Sequence, residues 1–215
     1  MINLEVEATN IASIIDKPLD FPLKRRIINS IIRAGNTLLR QSIVKNKTVP
    51  VEVIQSFVTK VEKVQPFSTY FVDGYKAVMR TTDTMPNPLR YNSDYPFETV
   101  SAGIGGGITF ANSDINTVRF NSKGLFTGKV GRYVYINERI YLYHNSPVNV
   151  GAPTILVRGV FENPLDVVDY SGQFRYSEEN YPISADLITT IKDMIRRGEL
   201  AIEPEDKTVD IDNDK

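Results

Sequence analysis

The chain has 215 residues, 26 acidic and 25 basic side chains, one histidine and no cysteine. That length allows one large domain or two small ones, and 41% hydrophobic residues are ordinary for a folded soluble protein. A net charge of −1 gives no strong overall field for nucleic acid or anionic membranes. The lack of cysteine excludes disulfides, thiolate metal sites and a cysteine nucleophile, and it suits a reducing compartment.

Polar residues dominate positions 1–20, which we expect to form an extended N-terminal arm. The acidic start differs from a signal peptide, which needs a basic region followed by an apolar run. No apolar stretch approaches the roughly 20 residues that span a bilayer. We therefore expect a soluble protein without a membrane partner, made in a cytoplasm.

Residues 21–48 have the pattern of a basic amphipathic helix. Isoleucine and leucine recur on one face at helical spacing, at Leu23, Ile27, Ile28, Ile31, Ile32, Leu38 and Leu39. Gly35 and Asn36 weaken the middle of this pattern without breaking its period. This is the strongest helix prediction in the first half of the chain.

Residues 49–170 are predicted to form a mainly antiparallel β-domain. Residues 49–65 fit a helical stripe, but their many β-branched side chains favour a strand, so we expect a short helix that passes into a strand. From residue 67 to residue 161, short apolar runs alternate with turn signals about every 8–12 residues. This spacing is typical of an antiparallel sheet or a small sandwich.

Residues 133–144 form the clearest hairpin, with Asn137 and Glu138 as a two-residue loop. Asparagine suits the positive φ of such a turn, whereas glutamate suits it poorly and leaves a longer loop open. Both faces are then apolar or aromatic, so we expect the domain's own core to cover one of them. A helix of the same chain or another subunit should cover the other. The first face holds Tyr133, Tyr135, Ile140 and Leu142, and the second holds Val134, Ile136, Tyr141 and Tyr143.

Residues 171–200 are predicted to carry a C-terminal helix packed on the same domain. Ser184 is a good N-cap, Ile183 and Ile188 can form a hydrophobic staple, and Gly198 supplies the stop. Residues 201–215 are typical of a solvated acidic tail. The predicted fold class is therefore α+β, with one or more N-terminal helices, a central antiparallel sheet or sandwich, a C-terminal helix and an acidic tail.

The motifs of the chain predict no catalytic residue, metal or cofactor. The glycine cluster at residues 103–107 lacks the lysine of a P-loop and the last glycine of a dinucleotide fingerprint, so a turn between strands is favoured. His144 is the only histidine, which rules out a histidine metal cluster and favours a polar residue at a strand end. Acidic pairs such as Asp166 and Asp169 lie in polar connections, and the aspartates at 210, 212 and 214 lack the glycine and glutamate of a calcium loop.

Charge is segregated between the two ends of the chain. Seven basic residues and no acids lie between residues 21 and 51. Four of them are spaced by seven residues and form one helical ridge, the basic ridge: Arg26, Arg33, Arg40 and Lys47. A solvated face would explain the ridge, but such faces normally mix signs, and the lack of carboxylates points to an acidic partner.

An acidic segment near the other end offers one such partner. Residues 198–214 contain seven acids and one lysine, and the docking candidates are Glu203, Glu205, Asp206, Asp210 and Asp212. A basic helix and an acidic tail can pair head-to-tail between identical subunits, which is the contact that closes rings. DNA that passes through a channel is the competing partner for the ridge.

Several phrases of the chain, taken in order, resemble a family of phage virion proteins. These are the ring or adaptor proteins between portal and tail in podoviruses, most similar to those of the crAss-like phages. Met85 replaces the family's usual isoleucine, and the glycine cluster is less typical, which leaves the contacts of that loop open. The phrases, within roughly residues 67–200, are Arg80 with MPNPL at 85–89, the aromatic hairpin, VRGVFENP at 157–164, YPI at 181–183 and EL at 199–200.

This resemblance implies a non-enzymatic structural protein of the virion, made in the host bacterial cytoplasm. Such proteins are implied to form a ring in the neck, a dodecamer, that extends the portal channel and carries the next tail component. The implied partners are further copies of the chain, the portal, other neck or tail proteins, and DNA passing without sequence specificity. The alternative is a monomeric β-rich binding domain, for example for carbohydrate, that uses exposed tyrosines at Tyr91, Tyr95, Tyr141 and Tyr143.

Overall fold

The fold was analysed in a computed structural model that describes residues 1–14, 17, 19–46, 49–75, 77–89, 95–102, 108–122, 131–145, 154–168 and 171–197. In those ranges the helices are α1 (Leu4–Ile14), α2 (Phe21–Asn46), α3 (Ile115–Asn121) and α4 (Ala185–Arg196). The strands are β1 (Gln55–Lys63), β2 (Ala77–Thr81), β3 (Thr99–Ala102), β4 (Thr109–Asn112), β5 (Arg132–Ile136), β6 (Arg139–His144) and β7 (Thr154–Gly159). The predicted α+β class is confirmed.

The strands form a closed barrel in the order β1-β2-β6-β5-β4-β3-β7. All neighbours are antiparallel except β4 and β5, which pair in parallel over two positions. The sandwich alternative is not confirmed, because the strand pairings close into a barrel. Closure also removes the exposed strand edges that an open sheet would present.

Alternation of side chains along the strands fills the barrel. In β1, Phe57 and Val61 point inward, and a short 3₁₀ turn at Val51–Val53 precedes the strand, which confirms the predicted passage from helix to strand. The Phe57 ring meets Phe161 edge-on, with 5.4 Å between centroids. Other fully buried members of this core are Phe97, Val100, Ile140, Ile155, Val157 and Val167.

Residues 4–14 form a helix, so the extended arm predicted for residues 1–20 is wrong. Asn3 caps α1 by accepting a hydrogen bond from the Val6 amide at 3.1 Å. The buried stripe of this helix is short and contains two alanines, which makes it a weak signal beside the many polar residues. Its members, at helical spacing, are Leu4, Ala8, Ile11 and Ala12.

Helices α1, α2 and α4 pack together, and we call them the helical layer. Helix α2 joins this layer to the barrel. Its first half packs with α1 and α4 through residues that include Ile27 and Ile31. Its second half reaches the barrel, where Leu39 and Ile43 contact a cluster of Val53, Leu89 and Val160. Gly35, which weakened the helical pattern, allows close packing, since an added Cβ would lie 3.2 Å from the Ile183 side chain.

Helix α4 begins as its sequence predicts. Ser184 is the N-cap and its hydroxyl accepts a hydrogen bond from the Leu187 amide. Ile183 and Ile188, the predicted staple, are both buried in the helical layer. Gly198 and the acidic tail lie outside the described residues.

Candidate assembly surface

The tyrosine hairpin has the predicted two-residue loop. Asn137 and Glu138 have φ values of 49° and 57°, the left-handed pair of a type I′ turn. Tyr133 therefore pairs with Leu142, and Tyr135 with Ile140, in the register expected from the sequence. The Asn137 amide also donates a hydrogen bond to the Tyr70 hydroxyl at 2.9 Å, which ties the turn to the segment outside the barrel.

The outer face of the hairpin is covered by another part of the same chain. We call this cover the platform: residues 64–75 together with α3. Thus, of the two predicted covers, a helix of the same chain is the one observed. The buried side chains between platform and hairpin are Val64, Val72, Val78, Val118, Val134, Tyr141 and Tyr143.

Polar contacts fix the platform to the hairpin. The Tyr143 hydroxyl donates a hydrogen bond to the Tyr70 carbonyl at 2.8 Å, and the Tyr70 and Tyr141 rings lie 4.7 Å apart. Asp114 caps α3 by accepting from two backbone amides at 2.9 Å. Arg119 of the same helix donates to the Thr69 carbonyl at 3.2 Å. The first part of the platform is therefore bonded to the hairpin, and α3 is bonded to that first part.

Two of the four tyrosines proposed for carbohydrate binding, Tyr141 and Tyr143, are buried. Tyr141 and Tyr143 are 3% and 0% exposed, so neither can stack on a sugar. Tyr91 lies outside the described residues, and Tyr95 is 51% exposed beside a surface pocket of about 660 Å³. Asp114 also lines that pocket, but its oxygens are engaged in capping α3.

The basic ridge does not present a uniform cationic face. Arg26 is half-buried and Arg33 is exposed. Arg40 forms an ion pair with Glu162, which follows β7. Lys47 lies outside the described residues. Contact of the four ridge residues with another subunit or with DNA stays a prediction.

Carboxylates from distant parts of the chain meet the cations of α2. Besides the Arg40–Glu162 pair, Arg25 lies 2.5 Å from Glu178. Asn36 also donates a hydrogen bond to the Glu162 carbonyl at 2.5 Å. The charge pattern predicted an acidic partner in another molecule, whereas Glu162 and Glu178 belong to the same chain. Only the tertiary fold brings these two carboxylates close to α2, because each glutamate lies over 100 positions from its arginine along the chain.

His144 and Asp166, which were weighed as catalytic residues in the sequence, make packing and turn contacts. His144 is 4% exposed, and its ring lies 6.2 Å from that of Phe110. Asp166 accepts a hydrogen bond from the Asn163 amide at 2.9 Å within a turn. The glycine cluster, Asp169 and the candidate tail acids lie outside the described residues.

The described ranges contain no group of three or more histidine, cysteine, aspartate or glutamate side chains that could hold a metal ion. In the same ranges, no helix combines the length and hydrophobicity that crossing a membrane requires.

Comparison with known proteins identifies the family of the chain. The curated proteins contain no match. A family model described as phage tail ring protein 2, from crAss-like phages, matches residues 10–215. That range includes the long helix, every strand of the barrel and the C-terminal helix, and it confirms the resemblance to ring proteins of these phages. The chain belongs to the phage tail ring protein 2 family.

Proposed function

We propose that this protein is a non-enzymatic structural component of the virion that assembles into a ring in the neck, between portal and tail. The observation that carries the proposal is the family match over residues 10–215. The expected copy number is twelve, as the resemblance to phage ring proteins implies. The ring extends the portal channel and carries the next tail component, after synthesis of the subunits in the host cytoplasm.

The fold suits a rigid building block. The barrel core, the helical layer and the platform are each packed around buried apolar side chains. Leu165 packs against both the barrel core and the helical layer, which couples the two parts. A ring needs two different surfaces on each subunit, one complementary to the other, because a head-to-tail contact must repeat around the circle.

Charge provides one such pair of surfaces. The acidic tail candidates Glu203, Glu205, Asp206, Asp210 and Asp212 of one subunit dock on the basic ridge of the next. Within the ridge, Arg40 contacts Glu162, and a variant at Arg33 and Lys47 leaves this ion pair unchanged. DNA in the channel remains the competing partner for the same side chains.

Charge reversal at Arg33 and Lys47 tests this arrangement while leaving the Arg40–Glu162 pair intact. We expect R33E with K47E to dissociate the ring at a lower salt concentration than the unmodified protein in sedimentation experiments, since screening acts on exposed charges. Changing the five tail acids to lysine in the same chain should restore assembly. The matched control is K60E with K63E, two exposed lysines on β1.

The outcomes separate the two partners of the ridge. Assembly of R33E/K47E at unchanged salt concentrations would contradict tail docking. Loss of DNA retention in particles, with assembly intact, would instead assign the ridge to the channel. Mixing the purified protein with a portal ring, followed by electron microscopy, tests the position in the neck, where a stacked double ring is expected.

A further inference from the structure

The outer surface of the platform carries exposed phenylalanines. Phe67 is 88% exposed and Phe120 is 81% exposed, although the platform beneath them is well packed. Phe120 borders a mostly apolar groove of about 520 Å³. The lining residues of this platform groove are Phe71, Val72, Asp73, Arg119, Phe120 and Ser122. An exposed aromatic side chain beside an apolar recess is a candidate for an interaction site.

The groove is built on a rigid base. Gly74 has a φ of +98°, and an added Cβ there would lie 2.7 Å from the Ser122 carbonyl, so only glycine lets the two walls approach. Val118 of α3 is fully buried, and its carbonyl accepts a hydrogen bond from the Tyr75 hydroxyl at 3.4 Å. The groove is therefore already formed before any partner binds.

A second exposed apolar feature lies at the start of α2. We call it the corner: Leu19, 93% exposed, and Phe21, 62% exposed. Asp20 holds its shape, because its carboxylate accepts a hydrogen bond from the Leu23 amide at 2.9 Å. The Arg25 guanidinium lies 5.4 Å from the centre of the Phe21 ring. The corner is therefore an exposed pair of apolar side chains at a capped helix start.

Groove and corner belong to separate parts of the subunit. The helices around the corner pack into one cluster, the platform packs into another, and the two share no member among the described residues. Both surfaces also carry exposed charges. Asp73 and Arg119 line the groove and Lys17 precedes the corner, so the Asp73 carboxylate offers an ion-pair partner to this lysine. One chain thus carries an apolar recess and an apolar projection as two distinct surfaces.

We propose that the corner of one subunit, Leu19 with Phe21, inserts into the platform groove beside Phe120 of a second copy of the chain. This inference rests on the proposed ring, and it names a further contact between neighbouring subunits of that ring. Head-to-tail repetition is the geometry that a recess and a projection on one chain produce. The occupant is a second copy because the family is one of ring proteins. When the corner lies in the groove, Lys17 of one copy can form an ion pair with Asp73 of the other.

Two complementary variants test the contact: F120D, which spoils the groove, and L19D/F21D, which spoils the corner. All three side chains are exposed, so circular dichroism and thermal unfolding should match the unmodified protein. We expect each variant alone to lose ring assembly in sedimentation velocity, with association at least about tenfold weaker. An equimolar mixture should form one-to-one dimers, because only one intact groove and one intact corner remain. F174D, at another exposed phenylalanine, is the matched control and should assemble normally.

The results distinguish this inference from the proposed function. Rings formed by F120D, or by L19D/F21D, at unmodified affinity would overturn the contact and leave the ring intact. Monomeric variants whose mixture yields no dimer would also overturn the pairing of groove with corner. An unmodified protein that never assembles, alone or with a portal, would overturn the proposed function together with the inference.

Discussion

Tyr143 shows how single residues hold the subunit together. Its side chain is fully buried between barrel and platform, and its hydroxyl donates to the Tyr70 carbonyl at 2.8 Å. The Tyr75 ring meets it with 5.5 Å between centroids. One residue of the hairpin therefore fixes two positions of the platform, and the platform supports the proposed groove.

Removal of the Tyr143 hydroxyl should weaken this attachment. We expect Y143F to lower the free energy of unfolding by about 1 kcal/mol, because the Tyr70 carbonyl loses a buried donor. Urea unfolding measures the change. Y95F is the control, since Tyr95 is half-exposed and its change should stay within about 0.5 kcal/mol. Equal stabilities of Y143F and the unmodified protein would contradict the role given to the hydroxyl.

The same substitution should alter the response to alkali. Burial raises the pKa of Tyr133, Tyr143 and Tyr181 above the ordinary tyrosine value. The folded state therefore keeps protons that the unfolded state releases, so this stability is present below about pH 10 and declines as the pH rises further. Y143F should show a smaller decline than the unmodified protein in unfolding measurements between pH 9 and 11.

At the scale of elements, the hairpin turn has one unfavourable residue. Glu138 has a φ of 57°, a conformation that glycine adopts without cost and other residues adopt with strain. We expect E138G to raise the free energy of unfolding by about 1 kcal/mol, since Asn-Gly is the preferred pair for this turn. E138V should lower it, because β-branched side chains fit left-handed backbone poorly. A destabilised E138G would contradict this account of the turn.

The elements that the sequence predicted well have strong local signals. The hairpin register follows from Asn137 and alternating apolar residues, and the start of α4 follows from Ser184 and its staple. Helix α1 was missed because alanines make up half of its buried stripe. Barrel closure and the parallel β4–β5 pair depend on contacts between distant strands, which no short pattern encodes.

The candidate surfaces divide in the same way. Segregated charge was visible in the sequence, but the pairing of Arg40 with Glu162 was not, because it depends on the docking of α2 beside the end of β7. Exposure of Phe120 was equally hidden, since an isolated phenylalanine on a short helix is usually buried. Tyr141 and Tyr143 illustrate the reverse error, because a helix and a loop of the same chain cover them.

The whole molecule is a coupled set of layers. The barrel core contacts the helical layer through Leu165, and the helical layer contacts the α2–barrel cluster through Leu187. Surfaces on the platform and on the helical layer are therefore held in a fixed relation. In the proposed ring, that relation would set the angle between successive subunits, and a constant angle closes a ring.

Native mass spectrometry of the purified protein is the decisive experiment for the proposed closed ring of identical copies. We expect one dominant oligomer of twelve subunits that dissociates through smaller assemblies as the salt concentration is raised. Class averages in electron microscopy should show the same particle with a central channel. A monomer at every concentration, with or without a portal, would rule out the proposed ring.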